Sequence, residues 1–329
     1  MKKTILSVCF VVGAMVSANA QSVLYPQHFD LNEVTLADGP LRTSMLTNAQ
    51  LLLQYDAARL MTPFVRQAGL SATSDSNSPY YQWETKHPSF SNWGLPSWSL
   101  EGHVGGHYLT ALALAHAALN TPADAPLRAQ IKERLDYCLA IMKDCQEAYD
   151  TNTAGLYGFI GGQPINQVWT GLYSGNTSAF SSYGGWVPFY CQHKVLAGLR
   201  DAWVYAGSEV AKELFRKMSD WSCNVIANLT DTQMQNNVLS SEHGGMNETL
   251  ADAYRIFGDE KYLAAAKRYS HNRMITNMQN GYSATFLDGH HANTQVPKYI
   301  GFERIWQEDN TMTTYRDAAR NFWQDVANE

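Results

Sequence analysis

The chain has 329 residues, with 24 Lys and Arg against 30 Asp and Glu, five cysteines, 12% aromatic and 16% charged residues. This acidic balance argues against nucleic acid or an anionic membrane surface as a partner. The length allows one large domain or two modest ones.

Lys2 and Lys3, the apolar run from Ile5 to Val16 and the string "ANA" at 18–20 read as a secretory signal peptide, with cleavage expected after Ala20. The run is too short for a permanent membrane anchor. Cys9 lies ahead of most of it, which argues against lipidation. No second long apolar segment follows, so the mature chain 21–329 is expected in the periplasm or outside the cell, with no membrane partner after signal removal. Without the two signal lysines it holds 22 Lys and Arg against 30 Asp and Glu, a net charge of −8. Many aromatics among few charges suit a sugar-stacking protein or, equally, a large core.

Helical periodicity dominates the rest. Residues 46–62 form the first predicted helix, and a loop-rich stretch at 64–100 carries Trp83, Trp93 and Trp98. Residues 103–119, "HVGGHYLTALALAHAAL", are small or apolar nearly all round, as in a helix buried on every side. The two interior glycines cost about 1 kcal/mol each, which close helix packing or ligand approach could justify. Residues 126–148 carry one stripe, Leu127, Ile131, Leu135, Cys138, Ile141 or Met142, and Cys145, and predict a surface helix. A Gly- and aromatic-rich loop spans 155–185. Pro188 opens the next helix, with Gly207 as its stop, and an amphipathic partner follows at 208–227. A helix at 242–257 stops at Gly258, and Asp259 caps another over 260–275. A loop at 281–301 leads to a last helix near 311–327. Strand signals are confined to 33–36 and 157–160.

Mostly apolar helices thus alternate with amphipathic ones, which predicts an all-α toroid of alternating inner and outer helices. A helical solenoid is the rival, but no fixed-period repeat is present. The four cysteines of the mature chain, Cys138, Cys145, Cys191 and Cys223, form no CxxC or zinc-finger spacing and read as buried free thiols. Cys138 and Cys145 stand about 10 Å apart along one helix, too far for a disulfide.

Polar residues recur at the N-terminal ends of the apolar helices. His103 and His107 share a face with Thr110 and Leu114; His193 shares one with Phe189, Leu196 and Trp203; His243 and Asn247 share one with Leu250, Tyr254 and Phe257. Each histidine alone could be a hydrogen-bonded core residue. Together they suggest a common polar cavity, since unsatisfied buried polar groups cost about 1–3 kcal/mol. His103 and His107 have the i, i+4 spacing of a zinc helix, but "VGG" lacks the glutamate and no third ligand is near. The string "DGHHANTQVPK" at 288–298 is either turn chemistry or a pocket rim. Glu242, Glu248 and Asp288 are the candidate carboxylates, although glycoside chemistry needs two about 5–9 Å apart.

The strings "LLLQYDAARLMTPFVRQAGL", "GHYLTALALAHA", "GGWVPFYCQHKVLAGLRDA", "EHGGMNETLADAYRIFGDEKYLAAAKRY" and "HHANTQVPKYIG" resemble the former domain of unknown function 1680, which holds the β-L-arabinofuranosidases of glycoside hydrolase families 127 and 146. The resemblance implies an (α/α)6 barrel followed by β-sandwich domains. It also implies a retaining exo-hydrolase of terminal arabinofuranosyl units on plant arabinose-containing glycans, with an arabinose-containing oligosaccharide as partner. In that family a zinc-held cysteine thiolate is the nucleophile and a glutamate the acid/base. Both are expected beyond residue 329, so 21–329 resembles the N-terminal portion of the barrel, incomplete at its C-terminus, binding no metal itself and with little or no activity. Cys191 lies inside a helix motif and is not the family nucleophile. Met45 stands near an expected sugar-binding glutamine, and Ala58 where an aspartate usually precedes Arg59. His243 matches a pocket-lining histidine of the family. His103, His107, Trp186, His193, Asn247, Glu248, His291 and Asn293 match motif positions at the barrel centre or rim, implying hydrogen bonds and stacking on sugar. The alternatives are another enzyme on the same toroid, an unsaturated-uronyl hydrolase or a lyase, and a non-catalytic glycan-binding module.

Overall fold

Four helices that open with these polar motifs lie side by side, each backed by a second helix. The computed structural model describes residues 20–328, apart from 27, 91–99, 151–154, 183–186 and 282–285. Most of the predicted signal peptide, Trp93, Trp98 and Trp186 lie outside the described residues. Among those residues the elements are helical throughout, and the chain is an all-α toroid.

Pro40–Gln54 (α1) and Ala57–Gln67 (α2) precede the repeating pairs. His103–Ala118 (α3) is followed by Ala125–Asp150 (α4), and Pro188–Val204 (α5) by Glu209–Asn224 (α6). Met246–Phe257 (α7) is followed by Glu260–Arg268 (α8) and Asn272–Met278 (α9), and Ala292–Glu308 (α10) by Thr313–Asn328 (α11). Helix α3 packs on α5, α5 on α7 and α7 on α10, which makes these the inner layer. Their outer partners are α4, α6, α8 and α11.

Local chemistry sets the boundaries. Asp56 accepts a hydrogen bond from the Arg59 amide at 3.2 Å, so the single helix expected over 46–62 divides into α1 and α2 at Tyr55–Asp56. Its apolar pattern runs across the break and hides it. Ser208 and Asp259 cap α6 and α8 in the same way, and Gly258 ends α7 with φ +72°. The helix expected over 260–275 also divides, because buried Tyr269 turns the chain before α9 starts. The loop expected at 281–301 is corrected: α10 begins at Ala292 and carries Pro297 within it. Proline there removes one N–H without ending a helix that is held by packing against α7 and α11.

Neither expected strand forms among the described residues. Val34 is extended, but the Asn120 side-chain amide takes its carbonyl and that of Asn32, each at 3.0 Å. Phe159 and Ile160 are buried in a loop, with Phe159 against Trp221 and Tyr149. Helix α4 buries the predicted stripe of Ile131, Leu135, Cys138, Met142 and Cys145. Helix α3 is not covered on every side, since Val104, His107 and Leu114 stay open where its neighbours leave a flank free. All four described cysteines are free, with Cys138, Cys145 and Cys191 buried and Cys223 half-buried.

The interior glycines of α3 serve close packing. A Cβ on Gly106 would sit 2.1 Å from the Lys194 carbonyl oxygen, and one on Gly198 would sit 2.5 Å from the Gly106 oxygen. Helix propensity alone would favour Gly106→Ala by about 1 kcal/mol. Backbone carbonyls cannot swing aside, so overpacking at about 1–3 kcal/mol should outweigh it. Urea denaturation of Gly106→Ala is expected to show a net loss of stability; a gain would show that α3 and α5 are free to separate.

Candidate functional site

The starts of all four inner helices contribute to one cavity of about 410 Å³. Leu100 and His103 come from the start of α3, Val187 and Tyr190 from the start of α5, Glu242 from the turn before α7, and His291 and Asn293 from the start of α10. Helix N-termini bring unpaired amide donors and the positive end of the helix dipole to that face. Asn293 donates its amide to Glu242 Oε1 at 2.8 Å, and Thr294 donates its hydroxyl to Oε2 at 3.0 Å. These bonds tie the turn before α7 to α10 and orient the carboxylate. His103 donates from Nδ1 to the Leu100 carbonyl. A carbonyl only accepts, so Nε2 of His103 is left as an acceptor.

Of the nine residues singled out from the sequence, His103, His291 and Asn293 line this cavity. His107 stands beside His103 on the open flank of α3, ring centroids 6.1 Å apart. His193, His243 and Asn247 are buried, and Glu248 is partly so. Trp186 lies outside the described residues. His243 precedes the first turn of α7, so its burial comes from the Gly244–Gly245 turn and not from a helical face. A Cβ on Gly244 or Gly245 would strike the His193 imidazole at 2.5 or 2.8 Å. The two glycines therefore let the turn rest on α5.

Burial holds the His193 imidazole far below its usual range, with Lys194 adding to the effect. His193 Nε2 and Glu248 Oε2, 4.0 Å apart, are thus a neutral imidazole beside a carboxyl group and not an ion pair. Burial raises the Glu248 carboxyl, and Arg200 opposes it by donating to Oε1 at 2.9 Å. His243 is likewise depressed by burial, with Lys298 next, to about 3. It donates from Nδ1 to the Ser241 carbonyl at 3.0 Å. Lys298, only 2% exposed, donates to His271 Nδ1 at 3.1 Å, and burial lowers its ammonium to about 8. Asn247 donates to the Lys298 carbonyl at 3.0 Å and fits only because residue 301 is glycine, where a Cβ would lie 2.2 Å away.

A buried ionic network links the inner layer. Arg200 donates to Asp201 at 3.0 Å and to Asp252 at 2.5 Å, and Arg304 grips the other oxygen of Asp252 at 2.5 and 2.8 Å. Thr110 on α3 donates to Asp201 at 2.8 Å. The sequence reading missed Tyr190, Arg200 and Asp252. Arg200 was legible in principle: it stands seven residues after His193, on the same face as Phe189, Leu196 and Trp203.

Among the described residues, no three His, Cys, Asp or Glu side chains converge as a metal site requires. Burial pushes the thiols of Cys138 and Cys223 up to about 12 and raises those of Cys145 and Cys191 as well. Asp288 is exposed in its loop. Among the described residues, no helix is long and apolar enough to cross a membrane.

The model of the family "Beta-L-arabinofuranosidase, GH127 catalytic domain" matches residues 33–329. This makes the chain a glycoside hydrolase domain. It belongs to the GH127 β-L-arabinofuranosidase catalytic-domain family. A search of curated proteins gives no match.

Two outcomes follow from the buried charges. Asp252→Ala removes the carboxylate shared by two buried guanidiniums and should cost about 3 kcal/mol of unfolding free energy; a loss under about 1 kcal/mol by chemical denaturation would show that Asp201, Glu248 and Gln307 suffice to hold them. Acid should also destabilise the fold. Below about pH 6.5 the unfolded chain protonates its histidines, whereas folded His243 resists down to about 3. Protons therefore favour the unfolded state throughout that window, by up to about 1.4 kcal/mol per pH unit for one histidine. Denaturation curves between pH 7 and 4 should flatten in His243→Asn relative to the parent chain, and equal slopes would contradict this origin.

Proposed function

We propose that residues 21–329 form an exported, β-L-arabinofuranosidase-like domain whose 410 Å³ cavity receives a terminal arabinofuranosyl unit of a plant glycan. The observation that carries this reading is the convergence of His103, Tyr190, Glu242, His291 and Asn293 from four separate helix starts. A furanose presents hydroxyls that both donate and accept. The cavity answers with an imidazole acceptor, an oriented carboxylate, an amide, a phenol and the apolar walls of Leu100 and Val187. Export is supported by the leader features of the sequence, Lys2 and Lys3, the apolar run from Ile5 to Val16 and the Ala-Asn-Ala string at 18–20. Gln21 accepts from the Leu31 amide at 2.9 Å and donates to the Phe29 carbonyl at 3.0 Å, and Leu24 packs against Trp203 and Val204.

The described residues do not fit a zinc–thiolate centre. No such cluster is present among them, and the four mature cysteines are neutral thiols held by burial. No catalytic step is therefore assigned to them. Their role in this reading is to bind, orient and desolvate the sugar, so this chain alone binds without cleaving.

Calorimetric titration of residues 21–329 with methyl β-L-arabinofuranoside tests the proposal. Saturable binding is expected, weakened about 5- to 10-fold by Glu242→Gln or Asn293→Ala, the loss of about one hydrogen bond, with no arabinose released. Affinity unchanged in both variants would sink the assignment of this cavity. Cleavage of an unsaturated uronide by the metal-free chain would replace it with the uronyl-hydrolase reading.

A further inference from the structure

A second groove begins near the start of α3, apart from the candidate sugar cavity. A second cavity, of about 150 Å³, lies beside the start of α3 and is lined by Gly102, Val104 and Gly105, which flank His103 of the first. Arg59 and Phe90 also line it, with the guanidinium stacked 3.9 Å over the ring and held by the Pro88 carbonyl at 2.7 Å. Tyr55 lines this cavity and also a third, of about 660 Å³. The third shares Leu53 and Gln130 with a fourth, of about 600 Å³, which runs between α1 and α4 to the Arg42–Asp124 ion pair. Shared residues join the second, third and fourth cavities in sequence, whereas none is shared with the first. The groove along the 15 residues of α1 is about 20 Å long.

We propose that this groove is a second glycan-binding site, which takes the uncharged chain of a polysaccharide and is anchored on Tyr55 and Tyr137. Both rings are exposed, at 46% and 42%, and large exposed rings beside hydrogen-bonding groups suit a ligand with apolar faces and polar edges. Tyr55 is held ready: its ring meets Tyr108 edge-on at 6.1 Å, and its carbonyl receives Arg134 at 2.7 Å. Gln130 and Glu133 supply the polar edge. The walls also select against other occupants. Arg134 is committed to the carbonyls of Leu53 and Tyr55 and to the Tyr108 hydroxyl, while Asp56 and Glu133 face the groove. An acidic chain finds repulsion there, and an apolar helix would have to bury those carboxylates.

The choice of a glycan rests on the sugar reading of the first cavity, and the test separates the two. Residues 21–329 are titrated with methyl β-L-arabinofuranoside and with a neutral arabino-hexasaccharide. The hexasaccharide should bind at least about 10-fold more tightly. Tyr137→Ala and, separately, Tyr55→Ala should each remove about 5- to 10-fold of its affinity and leave the monosaccharide unchanged; stacking contacts are of that order. Tyr137→Ala alters only an exposed helix position, so it keeps the test independent of folding. Equal affinity for the two ligands overturns the groove, as does hexasaccharide affinity untouched by both variants, or tighter binding of polygalacturonate than of the neutral chain. Hexasaccharide binding that depends on Tyr137 without any monosaccharide binding would overturn the cavity assignment and keep the groove. Absence of binding by either ligand overturns both.

Discussion

The carboxylate of Asp252 is fully enclosed, and much of the remaining arrangement follows from satisfying it. An ionised carboxylate without partners in such a place would shift to its neutral form or unfold its surroundings. Arg200 from α5 takes one oxygen and Arg304 from α10 takes the other. Three inner helices are thereby locked in register, and Thr110 brings in α3 through Asp201. Arg304 also donates to the Leu24 carbonyl at 3.2 Å and sits 5.6 Å above the Tyr25 ring. The segment after the predicted cleavage point is thus drawn onto the same network.

Fixing these helices axially fixes where they begin. Their N-terminal side chains meet at one cavity only because the backbones also approach closely. Gly106 and Gly198 let α3 and α5 touch, Gly301 admits Asn247 between α7 and α10, and the Gly244–Gly245 turn lies on His193. Small residues at these points are exchanged for polar side chains held at short range. The cost in helix propensity is offset by burial and hydrogen bonding around them.

The electrostatic outcome is a cavity wall on which Glu242 is oriented by two hydrogen bonds and burial lowers the His103 imidazole, backed by a core in which buried His193 and His243 are neutral. A neutral imidazole offers one donor and one acceptor; His103 gives its donor to the Leu100 carbonyl and keeps its acceptor. That chemistry favours selective hydrogen bonding over ion pairing. Burial also pushes the four described cysteines toward the thiol, the opposite of what a nucleophile requires.

Much of this was legible in the residues. Periodicity showed the helices, their alternation showed two layers, and motif strings pointed to the family. Histidines and amides at the starts of apolar helices pointed to a shared cavity, and His103, His291 and Asn293 do line one. Breaks inside continuous apolar patterns were not legible, because Asp56 and Tyr269 act through a single cap or turn that leaves the stripe intact. Helix α10 was hidden by Pro297 and a polar opening, whose backbone is held by neighbours distant in sequence. The long-range pairings were invisible for the same reason. Sequence sets which residues are apolar and which can cap, and so decides the elements and their inner or outer rank. Only packing decides which arginine reaches Asp252, which histidines become cavity wall and which become core, since those depend on how helices separated by some fifty residues come to rest against one another.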